Sequence, residues 1–211
     1  MSSCCSKEIC IGCDYANQKR EIEARLQGTC PFCRKATPKT DKEITKLQKK
    51  RVEANDLAAI CYKGVEHYRK GHYSRAVAFF TKAAELGFVD AHFKLALLYH
   101  DGEGVAKDEG KAVHHLEEAA IAGHPIARYN LGVHENCNGN AVRAVKHYII
   151  AATQGDDGAI KQLMKAFKEG HVSKEELAVA LRAQKAAVDA TKSRQRVEAE
   201  EFYRYRKNNI R

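Results

Sequence analysis

The sequence predicts an all-α fold, a solenoid of stacked antiparallel helix pairs over residues 55–190, joined to a small N-terminal zinc-binding module. Three observations predict it. Small and apolar residues return every 32 to 36 residues through the middle of the chain, the mark of a repeat architecture. Proline occurs only at Pro31, Pro38 and Pro125, so little interrupts helix formation. Six of the eight cysteines, Cys4, Cys5, Cys10, Cys13, Cys30 and Cys33, lie in the first 33 residues.

The helices follow from aligning Ala76, Ala112 and Ala144. One residue on stand Val77, Val113 and Val145, and four on stand Phe80, Leu116 and Tyr148. Seven and eight on stand Ala83-Ala84, Ala119-Ala120 and Ala151-Ala152. Spacings of four, seven and eight fall on one helical face. Eleven residues after each anchor comes Gly87, Gly123 or Gly155, which ends the helix because glycine takes left-handed backbone at little cost. A second helix precedes each of these. Ala59, Ala91 and Ala127 align, with Gly64, Ala96 and Gly132 five residues later. Small residues there let neighbouring helices approach closely. The connecting loops are Arg69-Lys70-Gly71-His72, Asp101-Gly102-Glu103-Gly104-Val105 and Asn136-Cys137-Asn138-Gly139. One helix pair cannot bury its apolar face alone, whereas three or more stacked pairs make a continuous core.

This pattern resembles the Sel-one-like repeat family, a relative of tetratricopeptide repeats. The unit from Ala91 to His124 carries the resemblance, with Asp101-Gly102-Glu103-Gly104-Val105, Asp108, Lys111-Ala112, Ala119-Ala120 and Gly123-His124. The flanking units lack the Gly-x-Gly loop. The resemblance implies a tetratricopeptide-like right-handed superhelix that assembles protein partners, a binding scaffold rather than a catalytic domain. Its groove would receive a peptide or a partner helix, with His92, Lys94, Arg128 and Asn130 as candidate contact residues.

Such a solenoid needs a terminal cap. Ser173 with Glu176 is a capping-box signature, and Leu177, Ala180, Leu181, Gln184, Ala187 and Val188 continue a helical face. Neither Gly nor Pro follows them. This last helix is therefore expected to run past Arg196, its distal part increasingly polar and solvent-facing, with residues 191–211 as a basic helical tail.

In the N-terminal module, residues 1–36, Cys10-x2-Cys13 and Cys30-x2-Cys33 are separated by 16 residues, the spacing of a zinc site. Thiolates two residues apart grip one ion from a tight turn. Structural zinc contributes on the order of 10 kcal/mol to folding, which a segment this short requires. The run Cys5-Ser6-Lys7-Glu8-Ile9-Cys10-Ile11-Gly12-Cys13 resembles the central segment of a RING finger, and Cys30-Pro31-Phe32-Cys33-Arg34 resembles its closing Cys-Pro-x-Cys-Arg. The resemblance implies two zinc ions in a cross-brace, one held by Cys5, Cys30 and Cys33, the other by Cys10 and Cys13. The family's first Cys-x2-Cys pair is not in this chain, and Lys7, whose ammonium cannot ligate zinc, stands at the usual histidine. Cys4 is the substitute ligand. A single site of Cys10, Cys13, Cys30 and Cys33 is the competing arrangement. A start site placed too far downstream would explain the missing pair, and in-frame upstream sequence is then expected to contain it. RING fingers recruit ubiquitin-conjugating enzymes, and Pro31 and Arg34 stand where such ligases make contact. Without the first zinc loop, at most weak ubiquitin-transferase activity is expected.

The net charge of +9 is uneven. Residues 34–51 hold 8 basic and 2 acidic side chains, residues 182–211 hold 9 and 4, and residues 52–181 hold 15 and 17. The basicity belongs to a linker, residues 37–54, and to the tail. Aromatic residues do not interleave with the linker charges, which disfavours a stacking site for single strands. Nucleic-acid binding therefore ranks last among the functions weighed. No apolar run reaches the roughly 18–20 residues of a membrane span, and residues 1–13 lack the apolar core of a signal peptide. An intracellular location, cytoplasmic or nuclear, is expected, where clustered cysteines hold metal rather than disulfides. Gly104 to Lys111 has the wrong spacer for a phosphate loop, and Ala112 replaces the residue that binds magnesium. His115 and His147 align with Phe79 and read as packing positions. His124 and His171 follow glycines at helix ends, where a cation suits the dipole. Cys61 reads as a small buried hydrophobe and Cys137 as a loop residue. The sequence points to an intracellular zinc-binding adaptor, with a ubiquitin ligase and a basic nucleic-acid-binding protein as alternatives.

Overall fold

A computed structural model describes residues 11–24, 28–30 and 35–209. Among them are eleven α-helices: α1 (Ile11–Glu23), α2 (Asp41–Glu53), α3 (Leu57–Arg69), α4 (Tyr73–Glu85), α5 (Val89–Asp101), α6 (Glu109–Ile121), α7 (Pro125–Cys137), α8 (Ala141–Thr153), α9 (Asp157–Lys168), α10 (Lys174–Ala190) and α11 (Arg194–Asn209). The chain divides into two compact units, residues 60–190 and a terminal unit built from residues up to Ala59 and from Thr191 onward. None of the described helices is long and apolar enough to cross a membrane.

Residues 60–190 form the all-α solenoid. The three pairs α3–α4, α5–α6 and α7–α8 stack in order, and their aligned alanines are the core: Ala76, Ala91, Ala112, Ala127 and Ala144 are all buried. Each pair ends in the same cap. Gly87, Gly123 and Gly155 have φ of 88°, 89° and 92°. The amide after each donates back to the carbonyl of Ala83, Ala119 or Ala151, at 2.9, 2.9 and 3.2 Å. The glycine amides themselves reach Ala84, Ala120 and Ala152. This is the Schellman arrangement, which satisfies carbonyls that a helix end otherwise leaves orphaned. The paired alanines thus serve twice, through their methyls in the core and their carbonyls in the cap.

The stack closes on α10. Leu177 and Ala180 join Ala151, Ala152, Leu163 and Val172 in one apolar cluster. The capping box forms as its residues predict: the Glu176 amide donates to Ser173 Oγ at 3.1 Å, and the Ser173 amide donates to the Glu176 carboxylate at 2.9 Å.

Helix α10 does not run past Arg196. It ends at Ala190, and α11 starts anew. The Ser193 hydroxyl accepts the Arg196 amide at 3.1 Å, and the Arg196 guanidinium donates to the Thr191 carbonyl at 2.9 Å. Serine side chains compete in this way with the helical backbone. A break therefore needs neither Gly nor Pro. The tail is also not solvated all round. Ala199 is fully buried, and α11 packs along α1 in the terminal unit. The Tyr15 and Phe202 rings lie 5.2 Å apart. Asp14 accepts from Gln18 Nε2 at 2.8 Å and from the Tyr203 hydroxyl at 3.0 Å.

In the same unit the linker residues form α2. The Thr40 side chain accepts the Glu43 amide at 3.2 Å, and the Glu43 carboxylate accepts the Lys39 amide at 2.9 Å. A short hairpin precedes it, with a bridge between Thr29 and Ala36. The Cys30 amide donates to the Lys35 carbonyl at 2.8 Å and the Thr37 amide to the Gly28 carbonyl at 3.0 Å. The buried Glu21 carboxylate of α1 accepts both the amide and the hydroxyl of Thr29 at 2.9 Å. These hydrogen bonds hold its pKa below the usual carboxylate range despite burial.

Candidate protein-interaction groove

Between successive helix pairs the solenoid carries a series of clefts. Side chains three residues after the aligned alanines Ala91, Ala127 and Ala159 line them in turn: Lys94, Asn130 and Gln162. The cleft between the first two pairs measures about 110 Å³ and has Phe80 in its wall. The next measures about 320 Å³, with Leu116 at the equivalent position. The one after it, walled by Tyr148, is nearly closed at about 10 Å³. The middle cleft is thus the one in which an aromatic ring is replaced by the smaller leucine.

The helix partner compensates each of these choices. A Cβ on Gly64 would lie 2.6 Å from the Phe80 ring, and a Cβ on Gly132 would lie 2.6 Å from the Tyr148 ring. Opposite the smaller Leu116 the chain carries Ala96, buried in the same cluster. Glycine inside a helix costs about 1 kcal/mol relative to alanine. It appears at the two positions where a ring leaves no room for a methyl.

The middle cleft combines an apolar lining with a polar rim. Leu97, Leu116 and Val133 contribute apolar surface, and Cys137 sits in the last turn of α7 rather than in the loop. At the rim, His100 Nδ1 donates to Glu109 Oε2 at 2.9 Å, and His134 Nδ1 lies 3.3 Å from Glu109 Oε1. Glu109, His100 and His134 were not singled out in the sequence. The repeat carries no signal for them: the 36-residue step takes His100 to Asn136 and His134 back to Leu98.

The four residues proposed for the groove separate into two pairs. Lys94 and Asn130 line the first and second clefts. His92 and Arg128 stand two residues earlier and reach α6 instead. His92 Nδ1 lies 3.1 Å from His115 Nδ1, and the Arg128 guanidinium donates to the Ala120 carbonyl at 2.8 Å. Of the candidate zinc ligands, Cys13 lies in the first turn of α1 and is exposed, and Cys30 is fully buried next to the Thr29–Ala36 bridge. Cys4, Cys5, Cys10, Cys33, Pro31 and Arg34 lie outside the described residues. Among the described residues no three His, Cys, Asp or Glu side chains are placed to hold a metal ion. Cys61 is buried, which pushes its thiol up to about 11.

Two of the histidines pack flat against aromatic rings. His67 stacks on Phe79 at 5.3 Å, and His115 stacks on Tyr99 at 5.7 Å. His124 corrects the expectation of a cation at a helix end. It is the N-cap of α7, and its Nδ1 accepts the Ala127 amide at 3.2 Å, which requires an unprotonated nitrogen. Burial lowers the pKa of His67, His124 and His147, and lowers His115 to about 4, with His92 and His114 adding repulsion. The unfolded chain, with histidines near 6.5, then binds more protons than the folded one as acidity rises. This stability is present above pH 6.5 and is lost as pH falls from about 6.5 toward 4. His115 accounts for about 1 kcal/mol at pH 5 once partial exposure is allowed for. His115→Phe, which copies Phe79, is expected to remove that share. Urea unfolding at pH 7 and pH 5 measures it, and an unchanged pH dependence would contradict the assignment.

Comparison with known proteins agrees with this architecture. The family described as Sel1 repeat matches residues 54–88, 89–124 and 125–156. Protein SHC1 of Saccharomyces cerevisiae is 38% identical over 60 residues, which are 28% of this chain and 12% of SHC1. The crystal structure of c5321, a protective antigen present in uropathogenic Escherichia coli strains displaying an SLR fold, superposes with a TM-score of 0.57 at 30% identity. That match covers 70% of this chain and 33% of c5321. A Sel1 repeat protein from Oxalobacter formigenes superposes with a TM-score of 0.60 at 27% identity, over 86% of this chain and 72% of that one. The chain therefore spans about an eighth of SHC1 and a third of c5321. The pairs α3–α4, α5–α6 and α7–α8 are three successive Sel1 repeats.

Proposed function

We propose that this chain is a protein-interaction scaffold whose solenoid receives a partner in the clefts between Sel1 repeats, and whose N-terminal module holds zinc. The observation that carries the first part is the cleft of about 320 Å³ between the second and third repeats. It is roomy enough for an anchoring side chain, apolar in its lining, and oriented by a carboxylate and two imidazoles at the rim. Lys94 and Asn130 flank successive clefts and are the proposed contact residues; His92 and Arg128, two residues earlier on the same helices, fix those helices against α6.

The double substitution Ala96→Gly with Leu116→Phe transplants the Gly64–Phe80 pair into the second repeat. It fills the cleft without crowding the helices. A partner co-purified with the native chain is expected to be lost from this variant at unchanged helicity. A partner that stays bound to the filled cleft would rule the site out.

Zinc binding is supported by the buried position of Cys30 in a hairpin that Glu21 ties to α1, whose first turn carries Cys13. Thiolates suit zinc, and Cys4, Cys5, Cys10 and Cys33 complete the proposed ligand set. Metal analysis of the purified chain distinguishes the arrangements. Two ions support a cross-brace and one supports a lone four-cysteine site. A metal-free folded chain ends the zinc proposal. The ubiquitin-ligase alternative rests on Pro31 and Arg34, and autoubiquitination abolished by Cys30→Ser would establish it.

A further inference from the structure

Helix α2 is the part of the terminal unit that the scaffold leaves without a role. None of its 13 residues is buried, and a helix of that length is marginal on its own in water. Its acids are engaged locally. Asp41 and Glu43 occupy the first turn, where they complement the helix dipole. Glu53 lies 3.9 Å from Lys49, and Asp56, just past the helix, takes Arg51 at 3.3 Å. What remains is Lys42, Lys46 and Lys50, each four residues from the next.

That spacing sets the three ammonium groups on one face at intervals of about 6 Å. Lys39, just ahead of the N-cap Thr40, stands at the head of the helix. Among the described residues no carboxylate pairs with any of the four side chains. Like charges at this spacing cost a helix about 0.2–0.5 kcal/mol per pair. A row that weakens its own helix and covers no core is not explained by folding. Beside it lies an open cleft of about 400 Å³, lined by Lys39, Lys46 and Lys50 together with Pro38, Leu47 and Glu43, whose carboxylate is turned to the Lys39 amide.

We propose that Lys39, Lys42, Lys46 and Lys50 bind the phosphodiester backbone of a nucleic acid. A regular row of one sign matches a regular polyanion. Protein hot spots are rich in aromatic residues, and residues 34–56 contain none. The same lack of aromatics removes base stacking, so contact is with phosphates and is indifferent to sequence. The site is independent of the solenoid groove.

The test uses the full chain and a fluorescent 20-base-pair DNA duplex of arbitrary sequence, followed by anisotropy from 50 to 200 mM salt. Four phosphate contacts predict a slope of log K against log salt of about −3.6. Changing all four lysines to glutamine is expected to flatten that slope by about 3 and to weaken binding at least tenfold at the lowest salt. The change removes repulsion within α2, so helicity by circular dichroism should hold or rise. Lys165→Gln with Lys168→Gln, on α9, should leave both quantities unchanged. The proposal fails if the native chain does not bind the duplex or if the fourfold variant binds as well as the native chain. It also fails if polyglutamate binds through these lysines more tightly than the duplex does, which would indicate an acidic protein partner.

Discussion

Gly104→Ala is expected to destabilise the solenoid by about 3 kcal/mol, lowering its melting temperature by roughly 10 °C. Two costs combine at this position. Its φ is 75°, and an alanine held in left-handed backbone pays about 1 kcal/mol. The added methyl would also collide with the Tyr73 carbonyl carbon and sit 2.6 Å from the Ser74 amide nitrogen. Those are backbone atoms at the start of α4 and cannot rotate aside, so crowding adds about 2 kcal/mol. Gly71→Ala separates the two terms. Its φ is 73°, and nothing lies within 4 Å of the new methyl, so only about 1 kcal/mol should be lost. Equal losses at the two sites would show that the loop does not press on the preceding repeat. The contact matters because it joins neighbours. The loop of the second repeat seats on the first, where Glu103 holds the Tyr68 pKa above its ordinary value.

Gly132→Ala and Tyr148→Leu should each cost about 2 kcal/mol, yet together they should cost less than about 1 kcal/mol. The first drives a methyl to 2.6 Å from a ring that is only 3% exposed. Overpacking of this kind outweighs the gain in helix propensity. The second leaves a void where the ring was. The pair reproduces Ala96 against Leu116, which the second repeat already accommodates. A coupling of about 3 kcal/mol is large for two touching residues but is expected where one side chain occupies the room the other vacates. Denaturant unfolding of the four variants measures it. Simple additivity would mean that the two positions do not share space. The double variant should also widen the third cleft, whose wall is Tyr148, toward the size of the second.

Much of the repeat was legible because its signals are short-range. Each of Ala76, Ala112 and Ala144 lies within eleven residues of its own alanine pair and glycine. Helical geometry alone puts them on one face and at one terminus. Ser173 and Glu176 likewise mark a helix start through contacts three residues apart. Other features depend on which surfaces meet. His124 sits beside a glycine at a helix end, as a dipole-stabilised cation would, but Phe93 stacks on it at 4.5 Å and burial keeps it neutral. The tail after Val188 looks polar in sequence, but Ala199 and Phe202 acquire a partner in α1, some 185 residues away along the chain.

By itself, the sequence determined the period, the helix pairs, the capping glycines and the small residues at close contacts. Apart from the period, which is the recurrence of the whole unit, each of these is set by spacing within one helix or one loop. Only the tertiary structure decided which cleft is open, which of the candidate groove residues line it, and that α11 returns to α1. Those outcomes depend on side-chain volumes and partners brought together across helices, and local periodicity carries no information about them.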